Sequence, residues 1–307
     1  MRRGAAFLAG FGLAAAGVGA ARALTTSYVP VLLDRIQEAP GLIGMVMLVN
    51  AVAGFAVPIL VGVWSDRRRR GSFGRRLPFV IGGAALSAGG LVAIALGTAS
   101  SYVLLGLAAA AVYVGLNAAA TAHRAIVVES FEDARRPAAT SAQEVAMLVG
   151  GMVALGAGAA LIEYSAPLLF AIGAALVIAL AVPTTILVRR RLVDAEPAVA
   201  VTPGRASAPD ATAAVGEAAA SGPAAPPRAT VRDLLDAARL PGAREVLVAQ
   251  ILWLVAYGAL PAFFLLYADH ALGVGPGPAS ALPAGFGIVT GGAMVLAGRA
   301  RPERVYP

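Results

Sequence analysis

The sequence predicts an all-α integral membrane protein, and three observations lead to that prediction. Hydrophobic residues fill 59% of the 307 positions and charged residues only 13%, about half the charged fraction of a soluble domain. The mean hydropathy is +0.78. The apolar residues also gather in long stretches, and a helix needs roughly 20 such residues to cross a bilayer.

Eight stretches reach this length and are predicted to be transmembrane helices. They cover residues 5–33, 41–64, 77–98, 102–124, 141–162, 165–188, 246–268 and 279–298. Several contain Gly or Pro, which membrane helices tolerate because neighbouring helices satisfy the freed backbone groups. The first stretch is too long for the apolar core of a signal peptide, so it is interpreted as an uncleaved first span.

The arginines predict the orientation of these spans. All 24 basic residues are Arg, and a cytoplasmic N-terminus puts every one except Arg22 and Arg35 on the cytoplasmic side. Cytoplasmic loops carry such an excess of positive charge. The sequence therefore predicts a multi-pass protein of the cell membrane. The same distribution accounts for the net charge of +7 without a nucleic-acid partner.

Composition divides the chain into three predicted parts. Residues 1–190 form a six-helix transmembrane half. Residues 191–228 are a disordered cytoplasmic linker, because a stretch rich in Ala, Pro, Gly and Ser cannot bury a core. Residues 229–307 hold a short amphipathic helix, which begins near Thr230 with a capping-box-like pattern, and two further transmembrane helices.

The loop after the second predicted span combines small and charged residues in a specific order. It runs Gly62-Val63-Trp64-Ser65-Asp66-Arg67, then three more arginines and a Gly-Ser-Phe, then Gly74-Arg75-Arg76-Leu77-Pro78-Phe79. This pattern resembles the signature loop of the major facilitator superfamily. Its long spacing before Gly74 and its Pro-Phe ending are similar to the sucrose and glycoside carriers among the bacterial relatives of the sucrose:proton symporters.

The resemblance implies a major facilitator fold with a six-helix N-terminal half and about two helices of the C-terminal half. The chain is therefore expected to be C-terminally incomplete. The missing helices would be supplied by another chain or would have been lost by truncation.

The resemblance also implies that the signature loop is a cytoplasmic gate. Its members here are Gly62, Asp66, Arg67, Gly74, Arg75 and Arg76. Gly62 is expected to let two helices approach closely. Asp66 is expected to pair with an Arg of the same loop, and in the family also with the N-terminus of the eleventh helix, where a partial positive charge favours an anion. That helix would lie beyond Pro307, so the second partner is expected to be missing. The alternative, that the arginines only set the topology, stays open for Arg68–70.

Four polar residues are candidates for the substrate or coupling site. Ionisable residues at membrane depth are costly and therefore usually functional; Arg22, Arg124 and Glu129 qualify. In the alternative reading, Arg22 snorkels or pairs structurally, and Arg124 and Glu129 mark a helix end. The resemblance implies a role for Arg124 in proton-coupled sugar transport and matches Asn117 to a family Asn.

One position departs from the family. About three turns before the matching Arg the family has an Asp, and here Tyr113 stands in its place. Glu129 could replace that carboxylate only if the fourth helix extends past residue 124. The absence of this carboxylate argues against proton coupling of the kind that the resemblance implies.

The predicted function is secondary active transport of a small polar solute, a sugar or glycoside, by alternating access, with protons as the expected coupling ion. The partners are the solute, protons and the lipid bilayer. No nucleotide loop, metal-ligand cluster, cysteine or nucleophile–base pattern indicates an enzyme, a cofactor or a metal site. An efflux pump for drugs or metabolites, and a truncated product without transport activity, are the alternatives. Asp269 and His270 are interpreted as a solvated pair in a loop.

Overall fold

The structure is a computed structural model, and it describes residues 2–67, 74–97, 101–131, 135–194 and 242–299. Most of these residues are helical, and none of them lies in a strand. The helices are α1 Arg2–Ile36, α2 Pro40–Arg67, α3 Leu77–Ala95, α4 Tyr102–Ser130, α5 Arg136–Tyr164, α6 Ala166–Asp194, α7 Ala243–Leu272, α8 Pro276–Ala279 and α9 Ala281–Arg299. The all-α prediction is confirmed. Residues 191–194 of the predicted linker are helical and belong to α6, and the rest of that linker and the predicted amphipathic helix lie outside the described residues.

Six of these helices, α1 to α6, are long and apolar enough to cross a membrane within the described ranges. The predicted seventh and eighth spans coincide with α7 and α9. The predicted fourth span, 102–124, ends six residues before α4, which continues to Ser130. Its backbone hydrogen bonds extend past the apolar stretch, since a helix needs no apolar side chains once it leaves the hydrocarbon. The start of the predicted eighth span is a separate single turn, α8.

Local capping explains several helix ends. The Ser101 hydroxyl accepts a hydrogen bond from the Leu104 amide at 3.4 Å, and Ser165 caps α6 through the Leu168 amide at 3.3 Å. Gly273, with φ of 64°, ends α7 in the left-handed conformation that glycine adopts without steric cost.

Helix α1 is the best-buried element and packs against α4, α5 and α6. Two glycines make the contact with α5 possible. A Cβ on Gly19 would lie 1.9 Å from the Met147 carbonyl oxygen, and a Cβ on Gly150 would lie 2.0 Å from the Ala16 carbonyl oxygen. Neither atom fits, so the two backbones touch in the manner of small-residue helix crossings in membranes.

A side chain from α6 enters the backbone ladder of α1. The Thr184 hydroxyl accepts a hydrogen bond from the Ala14 amide at 3.0 Å and donates one to the Gly10 carbonyl at 2.8 Å. Those two backbone groups are partners in an uninterrupted helix. The hydroxyl therefore bridges one helical turn and fixes α6 against the N-terminal half of α1.

The helices that follow Gly242 pack on the first six. Helix α7 lies against α1 and α2, and α8 and α9 lie against α5. The Leu155 carbonyl of α5 accepts hydrogen bonds from the Tyr28 hydroxyl at 3.1 Å and from the Ser280 hydroxyl at 3.3 Å. Gly158 leaves the space that the Tyr28 ring fills. One carbonyl thus joins α1, α5 and the start of α9.

Candidate functional site

The first polar site lies where α1 faces α4. The Arg22 guanidinium donates a hydrogen bond from Nη2 to Oδ1 of Asn117 at 3.3 Å. Arg22 stands 15 residues after Phe7 and 14 before Ile36, the limits of the apolar part of α1. The structure therefore brings together two of the predicted site residues, at the middle of the span.

The Asn117 side chain is held in one orientation. Its Nδ2 donates to the Tyr113 carbonyl one turn back at 2.8 Å, which turns Oδ1 toward Arg22. The Thr121 hydroxyl donates to the Asn117 carbonyl at 2.7 Å. Tyr113 is buried, and its hydroxyl lies 3.7 Å from the Met47 sulfur. The position therefore takes part in packing between α4 and α2.

Arg124 lies two turns further along α4 and has a different partner. It forms an ion pair with Glu144 of α5 at 2.9 Å, and the side chains are 54% and 33% exposed. The preceding residues reinforce this contact, because Gln143 donates to the His123 carbonyl at 3.1 Å. The sequence analysis did not single out Glu144, although a carboxylate three residues inside the predicted span 141–162 was a visible signal.

The signature loop is organised around Arg76. Its Nη2 meets Asp66 Oδ1 at 2.7 Å, its Nε meets Glu129 Oε1 at 3.1 Å, and its Nη1 donates to the buried Ser65 hydroxyl. Arg75 joins from the exposed side, with Nη2 2.7 Å from the same Glu129 oxygen. The loop thus ties the ends of α2 and α4 to the beginning of α3, and Asp66 pairs with an Arg of its own loop as expected.

Glu129 was a candidate for coupling, and the structure places it instead among the loop arginines. Although α4 does extend past residue 124, the Glu129 carboxylate faces Arg75 and Arg76 rather than Arg124. A helix advances 100° per residue, so side chains five positions apart point to different sides. The predicted substrate or coupling set therefore divides among three places.

The structure gives the two glycines of the signature loop, Gly62 and Gly74, different surroundings and backbone conformations. Gly74 adopts φ of 64°, a conformation that favours glycine, and this turn leads directly into Arg75 and Arg76. The close helix approach expected at Gly62 is wrong for the described residues, because a Cβ there would meet nothing within 4 Å. Gly62 is itself only partly buried. Arg67 is exposed at the end of α2.

A further polar contact joins α1 and α7 near their C-terminal ends. His270 Nε2 lies 2.8 Å from Asp34 Oδ2, with side chains 55% and 15% exposed. This hydrogen bond raises the pKa of His270, and the Asp34 charge adds to the effect. The interpretation as a loop pair was wrong: Asp269 and His270 belong to α7, and the partner of His270 is 236 positions away in sequence.

A surface depression of about 380 Å³ lies at the beginning of α7, lined by Arg244, Glu245, Val248, Ala249 and Leu252. It is far along α7 from His270 and contains none of the residues that pair above. The depression is therefore not the candidate site. The Arg22–Asn117 contact at mid-span is the candidate solute site, and the Arg76 cluster is the candidate gate.

Comparison with curated proteins and with solved structures gave no match. A family model does match, and it covers residues 6–305. That range includes the signature loop, all the paired residues described above, α1 from its fifth residue onward, and α2 to α9. The six apolar spans and the all-helical architecture agree with this match. The chain belongs to the Major Facilitator Superfamily, a family of membrane transporters.

Proposed function

We propose that this protein is a secondary active transporter that moves a small polar solute across the cell membrane by alternating access, with its N-terminus in the cytoplasm. The observation that carries the proposal is the Arg22–Asn117 contact at mid-span between α1 and α4, inside a bundle of the superfamily. A polar pair at this depth is costly unless it serves a solute or ion path. A sugar or glycoside is the solute class that the resemblance of the signature loop supports.

The Arg76 cluster is the proposed cytoplasmic gate. It connects α2, α3 and α4 through one guanidinium that is only 14% exposed, so its three contacts form and break together. Asp34 and His270 are the corresponding contact at the outer ends of α1 and α7. Alternating access requires that one such contact opens while the other is closed. The helix ends proposed to move are therefore those of α2, α3 and α4 at the gate and those of α1 and α7 at the other contact.

The proposed coupling pair is Arg124 and Glu144. Tyr113 occupies the position of the family carboxylate, and Glu129 is held by the gate arginines. Glu144 is the carboxylate that meets Arg124, at 2.9 Å. Protonation of Glu144 would release the ion pair, and such release is a way for a proton to change the packing of α4 on α5.

The test is proton-driven uptake of labelled sucrose and maltose into proteoliposomes that contain the full chain. Glu144→Gln should abolish accumulation driven by a pH gradient and retain exchange of labelled for unlabelled solute, because exchange needs no net proton movement. Glu163→Gln, on the exposed outer end of the same helix, is the matched control and should behave as the unchanged chain. Unaltered proton-driven accumulation in Glu144→Gln would remove Glu144 from the coupling role. Absence of both uptake and exchange for both sugars would contradict a sugar carrier.

A further inference from the structure

The C-terminal ends of α1 and α7 meet at one short polar contact. His270 Nε2 lies 2.8 Å from Asp34 Oδ2. Asp34 stands two residues before the end of α1, and His270 stands two residues before the end of α7. The C-terminal end of a helix carries a partial negative charge, which favours a nearby cation. Two such ends therefore repel each other unless a positive charge lies between them.

Acidic side chains strengthen this repulsion. Asp34 lies in the last turn of α1, Glu38 follows that helix by two residues, and Asp269 precedes His270 on α7. The charges of all three carboxylates act on the His270 ring. Asp34 is the less exposed member of the contact, and a carboxylate that is partly removed from water depends more strongly on a cationic partner. A protonated His270 therefore attracts groups that would otherwise push the two helix ends apart.

The other described elements near this contact supply few charges. The first ten residues of α2 and residues 273–280 include none. Tyr102, at the start of α4, lies within the influence of the Asp34 charge. Arg35 is exposed in the last turn of α1, and Glu163 of α5 lies beside Gly277. Among the side chains near the contact, histidine is the type that ordinarily changes its charge between about pH 5 and pH 8.

Proton binding to His270 is coupled to the contact. The hydrogen bond to Asp34 raises the pKa of His270, and the Asp34 charge adds to the effect. The charges of Asp269 and Glu38 act in the same direction. The contact therefore stabilises fully below the ordinary histidine pKa and is lost as the pH rises through the raised value. Above that value the ring is neutral, and the carboxylates of the two helix ends remain.

We propose that the Asp34–His270 contact is a pH-sensitive latch, in which a proton on His270 holds the ends of α1 and α7 together and loss of that proton lets them separate. The latch rests on the proposed function and adds regulation to it. With the N-terminus in the cytoplasm both ends lie on the outer side, so the external pH sets how readily the transporter opens outward. An acidic exterior favours the closed outer end, and an alkaline exterior favours the open one.

Distances between spin labels test the latch directly. The chain has no cysteine, so Gln37→Cys and Leu272→Cys, at exposed positions beside the two helix ends, provide the two labelling sites on the purified full chain. Double electron–electron resonance is recorded from about pH 5 to about pH 9, which brackets the range in which histidine changes its charge. The ratio of the near to the far population should fall about twofold to fivefold across this range, as a partly exposed ion pair predicts.

Substitutions of His270 then assign the response. His270→Gln should show the high-pH distances at every pH, and His270→Arg, which keeps a permanent positive charge, should show the low-pH distances. Glu163→Gln removes a carboxylate from the exposed outer end of α5 and should retain the full response. A response that persists in His270→Gln would belong to another group, such as the buried His123, and would overturn the proposal. Distances that do not change with pH while His270 is present would overturn it as well.

Exchange of labelled sucrose and maltose in proteoliposomes separates the latch from the transport function. A distance change that requires His270, without exchange of either sugar, retains the latch and rejects sugar transport by this chain. Exchange with distances that ignore the pH retains the transporter and rejects the latch. An exchange rate that depends on the external pH in the unaltered chain, and not in His270→Arg, supports both.

Discussion

The crossing of α1 and α5 should not tolerate one added methyl group. A Cβ on Gly150 would stand 2.0 Å from the Ala16 carbonyl oxygen, and real Cβ contacts are not found under 3.0 Å. Gly150→Ala must therefore separate the two backbones by about 1 Å. A gap of 0.5–1 Å already forfeits about a quarter to a half of each dispersion contact along the crossing.

The expected cost follows from two opposing effects. Overpacking of a filled interior destabilises by about 1–3 kcal/mol, and replacement of Gly by Ala in a helix returns about 0.5–1 kcal/mol. Gly150→Ala should thus lower the free energy of unfolding by about 0–2.5 kcal/mol, and by about 1–3 kcal/mol relative to a Gly→Ala control without overpacking. Gly156→Ala, on the same helix, is the control, because a Cβ there meets nothing within 4 Å; it should be neutral or slightly stabilising.

The assay is equilibrium unfolding of the full chain in mixed detergent micelles, with helicity as the signal. The comparison between the two variants removes the contribution of helix propensity, which is common to both. If Gly150→Ala proved as stable as Gly156→Ala, the backbones would not be in contact at Gly150, and the reasoning would be refuted. The crossing also matters for the site, since Gly19, its counterpart on α1, precedes Arg22 by less than one turn.

Two further predictions concern the polar contacts at the helix ends. Arg76→Gln should destabilise the chain by about 1–2 kcal/mol and Arg75→Gln by less than about 1 kcal/mol. The reason is that the Arg76 side chain is 14% exposed and has three partners, whereas the Arg75 side chain is 31% exposed and has one. Equal losses of stability in the same unfolding assay would contradict a gate organised by Arg76. The pKa of His270 is raised by its hydrogen bond to Asp34, so the contact stabilises fully below the ordinary histidine pKa and is lost as the pH rises through the raised value. A nuclear magnetic resonance titration of His270 should show a fall in this pKa in Asp34→Asn and a smaller fall in the control Asp269→Asn, whereas an unchanged value in Asp34→Asn would exclude the contact.

The sequence predicted the helices well because membrane crossing imposes a length and a composition that are local properties. The predicted fifth span, 141–162, lies inside α5 from Arg136 to Tyr164. Ends were predicted less well, since polar residues such as Glu129 continue a helix outside the hydrocarbon without an apolar signal. The sequence analysis named Gly74 as a member of the signature loop but did not predict its positive φ, which the structure shows.

The pairing of charges could not be read from the sequence. Glu129 and Arg75 are 54 positions apart, and His270 and Asp34 are 236 apart. No periodicity connects such positions, because their distance depends on how whole helices pack. Glu129 accordingly pairs with Arg75 and Arg76 rather than with Arg124, and Glu144, which the sequence analysis did not single out, is the partner of Arg124.

The sequence by itself determined that this chain is an all-helical membrane protein with a signature loop, because hydrophobic length, arginine placement and motif spacing are properties of the linear chain. Only the tertiary structure decided which polar groups meet. Helix crossings that bring backbones into contact, as at Gly19 and Gly150, determine which face of α1 turns toward α4. That rotation is the physical reason that Arg22 finds Asn117 at the middle of the membrane.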